Sequence, residues 1–193
     1  VVADTPAEMY RYMPDGLPVL SLPEAMFRKL SPVAAPTGVM AVMPLPVVGP
    51  NMGEFVLLLE SIQDPGNLGA ILRNAAAAGV TDVLLSPGCA EAWSPKALRG
   101  GQGGQFRLRV HEGVDLAKWL DAWPDKSYAA ALGATHSLYD LELLGRIAVV
   151  FGNEGQGLSP SLIDRCEAFT IPMAGEIESL NVASSVAITL YER

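Results

Sequence analysis

The stretch "ESIQDPGNLGAILRNAAAAGV", residues 60–80, decides how the rest of the chain reads. Asp64-Pro65-Gly66-Asn67 is turn chemistry. An apolar, Ala-rich helix follows, closed by Gly79 at its C-terminal end. Just before it, "FVLLLESI" reads as a strand buried on both faces, and just after it "VTDVLLSP" reads as a second. One charge, Arg73, interrupts the helix, and only Asn67 and Asn74 accompany it as polar side chains. The usual fate of a helical arginine is a solvated face. Here the neighbours Ala70, Ile71, Leu72, Ala75, Ala76 and Ala77 leave little polar face. Placed in the first turns, Arg73 also opposes the helix dipole. A residue that breaks local rules without local gain is a functional suspect.

The strand–helix alternation continues outward. "SPKALRGGQGG" starts as a helix capped by Ser94, with Pro95 in the first position, then dissolves into glycines. "FRLRVHE" alternates and predicts a strand, "VDLAKWLDAWP" an amphipathic helix stopped by Pro124, and "SYAAALGA" and "RIAVVFGNE" two strands. "SPSLIDRCE" predicts a short helix capped by Ser159, "AFTIPM" a strand and "SLNVASSVAITLYER" a terminal helix. Apolar strands alternating with helices argue for an α/β fold, a mostly parallel sheet flanked by helices on both sides. Residues 1–50 differ, with nine prolines. There "SLPEAMFRKLS" predicts a helix with Ser21 as cap and Glu24 completing a capping box. "TGVMAVMPLP" predicts an apolar strand ended by prolines, and 36–53 reads as linker or edge.

The chain has 193 residues, and its 13 Lys and Arg face 21 Asp and Glu, a formal charge of −8. The whole molecule therefore does not attract a polyanion, and a nucleic-acid partner must find a local basic patch. The strongest such cluster is 96–109, "KALRGGQGGQFRLR", with Lys96, Arg99, Arg107 and Arg109 and no acid. On its own it reads equally as a flexible solvated loop. Two cysteines, Cys89 and Cys166, stand far apart with no metal-like spacing, so a reducing cytoplasm is the default. No apolar run reaches the ~18 residues of a membrane span, and no signal-peptide pattern opens the chain. It begins on Val1-Val2 rather than Met and is read as a piece of a longer protein.

Three loops follow strand ends: 63–69, 152–159 and 172–181. Ligands of open parallel sheets bind at the carboxyl ends of strands, so chemistry belongs there. "FGNEGQGLSP" places glycines at 152, 155 and 157, which lets backbone pass close to a ligand. The order is neither a dinucleotide fingerprint nor a P-loop. Glu154 in its middle repels phosphate and suits a ligand that is positive or rich in donors.

Together "QDPGNLGAILRNAAAAG", "VVFGNEGQGLS" and "IPMAGEIESLNVASSVAITLYE", in that order, resemble the three motifs of the SpoU–TrmH family of SPOUT RNA methyltransferases. The likeness runs from about residue 54 to the end. Residues 17–45 look like the tail of the small substrate-binding domain that often precedes the catalytic one. Residues 1–46 are then expected to be a remnant of an RNA-binding domain plus linker, and 47–193 the catalytic domain. The resemblance implies a C-terminal deep trefoil knot, a rare exception to unknotted chains. It implies methyl transfer from S-adenosylmethionine to a ribose 2′-hydroxyl of rRNA or tRNA, without a metal, by a cytoplasmic homodimer whose partner contributes to the site.

Site residues follow from the same resemblance. Gly152, Ile171, Leu180 and Met173 match the cofactor positions, and the loop around Gly133, Ala134 and Thr135 the adenosine wall. Arg73, Asn67, Glu154 and Asn181 match the catalytic set, with Ser179 beside Asn181. The family's rival proposal makes a deprotonated Arg73 the base. A guanidinium stays protonated, so the preferred role is to hold phosphate or the incipient alkoxide by charge-assisted hydrogen bonds. Lys96, Arg99, Arg107 and Arg109 become candidates for phosphate contacts. "NVASSVA" departs from the family's usual "NVSVA" or "NVAVA", so Ser184 and Ser185 take no assignment. The competing reading is a non-catalytic knotted protein that binds RNA or cofactor, and a weaker third is a nicotinamide enzyme.

Overall fold

The computed structural model describes residues 1–3, 14, 16–175 and 179–193, and the chain divides into a unit Val1–Val47 and a unit Val48–Arg193. Residues 4–13 and 15 of the expected substrate-domain remnant, and 176–178 of the third expected loop, lie outside the described residues.

In the first unit β1 (Val2–Ala3) pairs in parallel with β2 (Ser21–Leu22), and α1 (Glu24–Leu30) follows. Phe27 of α1 is buried. The expected capping box does not form. Ser21 is taken into β2, Pro23 occupies the cap position with no side-chain bond, and the Glu24 carboxylate accepts from Arg28 instead. The expected strand within 37–46 is reduced to one bridge between Val39 and Val2. Prolines at 36, 44 and 46 remove ladder donors.

The second unit is built on a seven-stranded, wholly parallel sheet. Its strands are β3 (Phe55–Leu59), β4 (Asp82–Leu85), β5 (Arg109–His111), β6 (Lys126–Ala130), β7 (His136–Ser137), β8 (Ile147–Phe151) and β9 (Glu167–Thr170). Their order across the sheet is β5-β4-β3-β8-β6-β9-β7. The chain walks outward from β3 to β5, returns past β3 to β6, and later fills the gap with β8. The central strands β3 and β8 are buried along their whole length, as expected where helices cover both faces.

Alternation along the strands divides the core in two. Phe55, Leu57, Leu59, Val149 and Phe151 face one side, packed with Ile71, Leu72 and Ala75 of α2 (Pro65–Ala77) and Val186 and Leu190 of α6 (Val182–Glu192). Val56, Leu58, Ala148 and Val150 face the other, packed with Leu116 and Leu120 of α4 (Leu116–Ala122) and Leu162 of α5 (Pro160–Ile163).

Helix α2 starts where the turn chemistry places it: Asp64 caps the backbone N–H of Asn67 at 2.8 Å, and Pro65 takes the first position. It ends in a Schellman turn. Gly79 adopts φ +81, and Val80 N–H donates to Ala75 C=O at 3.0 Å.

Helix α3 (Pro95–Gly101) is capped by Ser94 and runs on through the glycines. Those glycines are a packing surface, not a flexible loop. A Cβ at Gly69 of α2 would meet the Ala97 carbonyl oxygen at 2.5 Å, and a Cβ at Gly104 would meet Arg73 Cα and the Leu72 carbonyl oxygen, both at 3.0 Å. The residues after α3, Gly104–Arg107, form a 3-10 turn, so the strand expected over "FRLRVHE" shrinks to Arg109–His111.

Candidate active site

The carboxyl ends of β6, β8 and β9 open onto a cavity of about 350 Å³. Its walls include Ala130–Leu132 at the end of β6, Gly152–Leu158 after β8, and Ile171 and Met173 after β9, with Ser179 and Leu180 before α6 and Ser185 within it. Four of the six expected cofactor positions, Gly152, Ile171, Met173 and Leu180, therefore share one hollow. Ala134 and Thr135 are not among its lining residues; Ala130–Leu132 form that wall.

The 152–159 loop is held by contacts that no local pattern advertises. A Cβ on Gly152 would sit 2.4 Å from the carbonyl carbon and oxygen of Gly157, so the turn closes only with glycine there. Asn153 Oδ1 accepts from the N–H groups of Gly155 (2.9 Å) and Gln156 (3.1 Å), while its Nδ2 donates to the Ser61 carbonyl at 2.9 Å. Glu60 accepts from the Ser159 N–H at 2.7 Å. Asn153 and Glu60 thus tie the loop after β8 to the loop after β3. Sequence reading passed over both, because their partners lie 92 and 99 residues away.

Three expected catalytic side chains form one chain of hydrogen bonds. Asn67 Nδ2 donates to Glu154 Oε1 at 2.7 Å, and Asn181 Nδ2 donates to Asn67 Oδ1 at 3.1 Å. Asn181 also caps α6, its Oδ1 accepting from Ala183 N–H at 2.9 Å and Ser184 N–H at 3.3 Å. The amide of Asn67 is therefore used at both ends, and it fixes the carboxylate that borders the cavity.

Arg73 stands apart from this chain. It is the ninth of the thirteen residues of α2, past the middle of the helix, so the argument from the N-terminal dipole does not apply. Six residues from Asn67, its side chain leaves the helix roughly 120° away around the axis. It is exposed, is not among the cavity's lining residues, and makes no hydrogen bond or ion pair with a described residue. Its neighbour Asn74 donates to the Ala183 carbonyl at 3.4 Å, which sets Arg73 beside the start of α6.

The basic cluster is not uniform. Lys96 pairs with Asp64 at 2.8 Å, and that hydrogen bond, with the Asn67 N–H behind it, holds the Asp64 carboxyl below its usual range. Arg109 grips fully buried Asp82 through Nε at 2.7 Å and Nη2 at 2.6 Å. Burial alone would raise the Asp82 carboxyl, but the bonds from Arg109, from Gly53 N–H and from His111 outweigh it and leave it lowered. Arg99 and Arg107 are exposed and make no ion pair with a described residue. Both thiols, Cys89 and Cys166, are pushed up by burial, which keeps them protonated and poor nucleophiles. The described residues contain no His, Cys, Asp and Glu cluster suited to a metal.

Known proteins resemble this chain in sequence and fold. The model of the SpoU rRNA methylase family matches residues 54–191. An uncharacterized tRNA/rRNA methyltransferase of Synechocystis sp. is 36% identical over 171 residues, covering 85% of this chain. The chain spans 62% of the length of that relative, less than two thirds. RlmP of Bacillus subtilis, a 23S rRNA (guanosine(2553)-2′-O)-methyltransferase, is 33% identical over 180 residues, 91% of this chain and 72% of its own. Among solved structures, a TrmH-family protein from Porphyromonas gingivalis superposes with a TM-score of 0.81 at 32% identity, over 99% of this chain and 80% of that one. An rRNA methyltransferase from Sinorhizobium meliloti, solved with bound AdoMet, superposes with a TM-score of 0.79 at 27% identity, over 92% and 71%.

Proposed function

The chain belongs to the SpoU rRNA methylase family, and from that premise we propose that it methylates a ribose 2′-hydroxyl of a structured rRNA or tRNA with S-adenosylmethionine. The observation that carries this reading is the junction of the glycine-walled cavity with the Asn67–Glu154–Asn181 chain. The cavity lies in the size range of small-molecule sites. Its apolar side chains suit an adenine, and its glycine backbone suits polar ligand groups. Gly152, Ile171, Met173 and Leu180 would hold the cofactor, which supplies an electrophilic methyl on a positively charged sulfur.

The protein's residues must then orient a weakly acidic hydroxyl and stabilise the oxygen as charge grows on it. Glu154, held by Asn67, offers a fixed carboxylate at the cavity mouth. Arg73 offers a permanent cation for the substrate's phosphate or developing alkoxide. Arg99 and Arg107 offer uncommitted charge to the RNA backbone, whereas Lys96 and Arg109 already hold carboxylates.

The same reading takes the protein as a cytoplasmic homodimer with Arg73 meeting the cavity across the subunit interface. In its support, Arg73 does not line its own cavity, and the neighbouring α6 exposes Ile188 and Tyr191. The trefoil knot belongs to it too: β9 inserts between β6 and β7, both earlier in the chain, before the chain returns to α6 on the α2 face. Residues 1–46 are taken as the remnant of a substrate-recognition domain.

The test is label transfer from methyl-labelled S-adenosylmethionine to bulk cellular RNA, with Arg73→Ala as comparison. Incorporation by the wild type, lost in the variant, is expected. No incorporation above background by the wild type would make the chain a binding protein, and equal incorporation above background by both would take Arg73 out of the reaction.

A further inference from the structure

A lone exposed phenylalanine is ordinary, but Phe106 is not placed like one. It is half exposed at 53%, on the 3-10 turn that follows α3. One side of its ring is braced by half-buried Trp93, with centroids 5.5 Å apart and planes tilted by 59°. Trp93 itself packs against the core. The ring is therefore braced on one side and more than half exposed.

Its surroundings carry the second observation. Many cations of this acidic unit are neutralised: Lys96, Arg109, Lys126, Arg146 and Arg165 all pair with carboxylates. Arg73, Arg99, Arg107, Lys118 and Arg193 pair with no carboxylate of a described residue, and the first three of these belong to this corner. Arg107 follows Phe106, and Arg99 lies on α3. Arg73 lies against Gly104, whose added Cβ would come within 3.0 Å of its Cα. Phe106 stands two positions on from Gly104, so their Cα atoms are at most roughly 7.6 Å apart. Unpaired charge of one sign around a braced aromatic ring matches a single-stranded nucleic acid, which offers phosphates and splayed bases together.

We propose that Phe106 is the stacking platform for an unpaired nucleobase next to the target ribose, with Arg99 and Arg107 holding the adjoining phosphates. The inference rests on the RNA methyltransferase reading and sharpens it: the substrate segment is single-stranded where it meets the protein. A fully paired helix keeps its bases stacked on one another and cannot use the ring.

The test compares binding of a short 5′-labelled unstructured RNA and its fully paired duplex by fluorescence anisotropy, with S-adenosylmethionine binding followed by calorimetry. The wild type prefers the single strand. Phe106→Ala weakens the single strand by at least about fivefold and leaves the duplex and the cofactor unchanged. Phe106→Leu, which keeps apolar bulk without a ring, behaves like Phe106→Ala, and Phe106→Tyr restores binding. Arg107→Ala instead weakens both RNAs and lowers the salt dependence. Unchanged single-strand binding by Phe106→Ala and Phe106→Leu overturns the platform while leaving the methyltransferase reading intact, and so does equal weakening of both RNAs. A change of oligomeric state without an RNA effect also overturns it, since the ring would then face a second copy of the chain. A wild type that binds neither RNA nor S-adenosylmethionine overturns both.

Discussion

The side-chain amide of Asn67 donates to Glu154 at 2.7 Å across 87 residues of chain. This bond joins the loop after β3 to the loop after β8 at the cavity mouth. Because Asn67 also accepts from Asn181, its removal frees two groups at once. Asn67→Ala should lower kcat about tenfold, the low end for a hydrogen bond to a charged group because Glu154 is exposed and Asn67 only half-buried. Cofactor affinity by calorimetry should hardly move, since Asn67 does not line the cavity. A parallel loss of affinity would mean that the bond shapes the pocket rather than the reacting groups.

Gly152 is the position where the cavity wall tolerates no side chain. A Cβ there would lie 2.4 Å from the Gly157 carbonyl, and backbone cannot yield as a flexible side chain can. Gly152→Ala should open the turn, weaken S-adenosylmethionine binding at least tenfold, and cost about 1–3 kcal/mol of stability. Gly155→Ala is the control, because its Cβ would meet only Asn153 Oδ1, at 3.4 Å. Wild-type cofactor affinity in Gly152→Ala would remove this loop from the binding site.

Much of this was legible in the residues, and the gaps have physical causes. The long strands and α2 follow from apolar runs, turn chemistry and Gly79, which act locally. The closeness of Asn67, Glu154 and Asn181 came only from the family resemblance, since the bonds joining them span 87 and 114 residues. Asn153 and Glu60 carried no signal, because a loop asparagine and a strand-end glutamate look the same whether solvated or bridging. The glycines after α3 read as flexibility, since local propensity says nothing of a helix packed against them. The Ser21 cap failed because a tertiary strand contact claimed the residue first.

Gly104 supports Arg73 from behind. Its missing Cβ leaves room for the backbone of Leu72 and Arg73, which an alanine would push. Gly104→Ala should therefore reduce turnover while cofactor affinity by calorimetry stays at the wild-type value. Methyl transfer unaffected by this change would show that the exact path of α2 at Arg73 is immaterial.

Asp82 links stability to pH. Its carboxyl is held below the ordinary range in the folded protein. The stability it contributes is therefore complete above the unfolded value, near 4, and is lost as pH falls through the lower folded value. Asp82→Asn leaves Arg109 without its anion and should cost about 3 kcal/mol at neutral pH, the low end for a broken buried pair because Arg109 is partly exposed. It should also flatten the acid limb of a melting-temperature profile. An acid limb as steep as the wild type's would assign the acid sensitivity to other carboxylates.

In the proposed dimer, Arg73 and the cavity can be assigned to one subunit or two by mixing inactive variants. Arg73→Ala keeps a sound cofactor cavity, and Gly152→Ala keeps a sound arginine. If each site combines the cavity of one subunit with the arginine of the other, a mixed dimer holds one site with both parts intact and one with neither. Random exchange makes half the dimers mixed, so activity should recover to about a quarter of wild type, as two-fold symmetry requires. If arginine and cavity belong to the same subunit, every site in the mixture is defective and activity stays at the level of the separate variants. Denaturing and refolding the two variants together, then assaying label transfer, separates the outcomes. The exposure of Arg73 and its direction roughly 120° around α2 from Asn67 favour recovery. A flat result would return the arginine to its own subunit and require its side chain to swing towards the cavity when RNA binds.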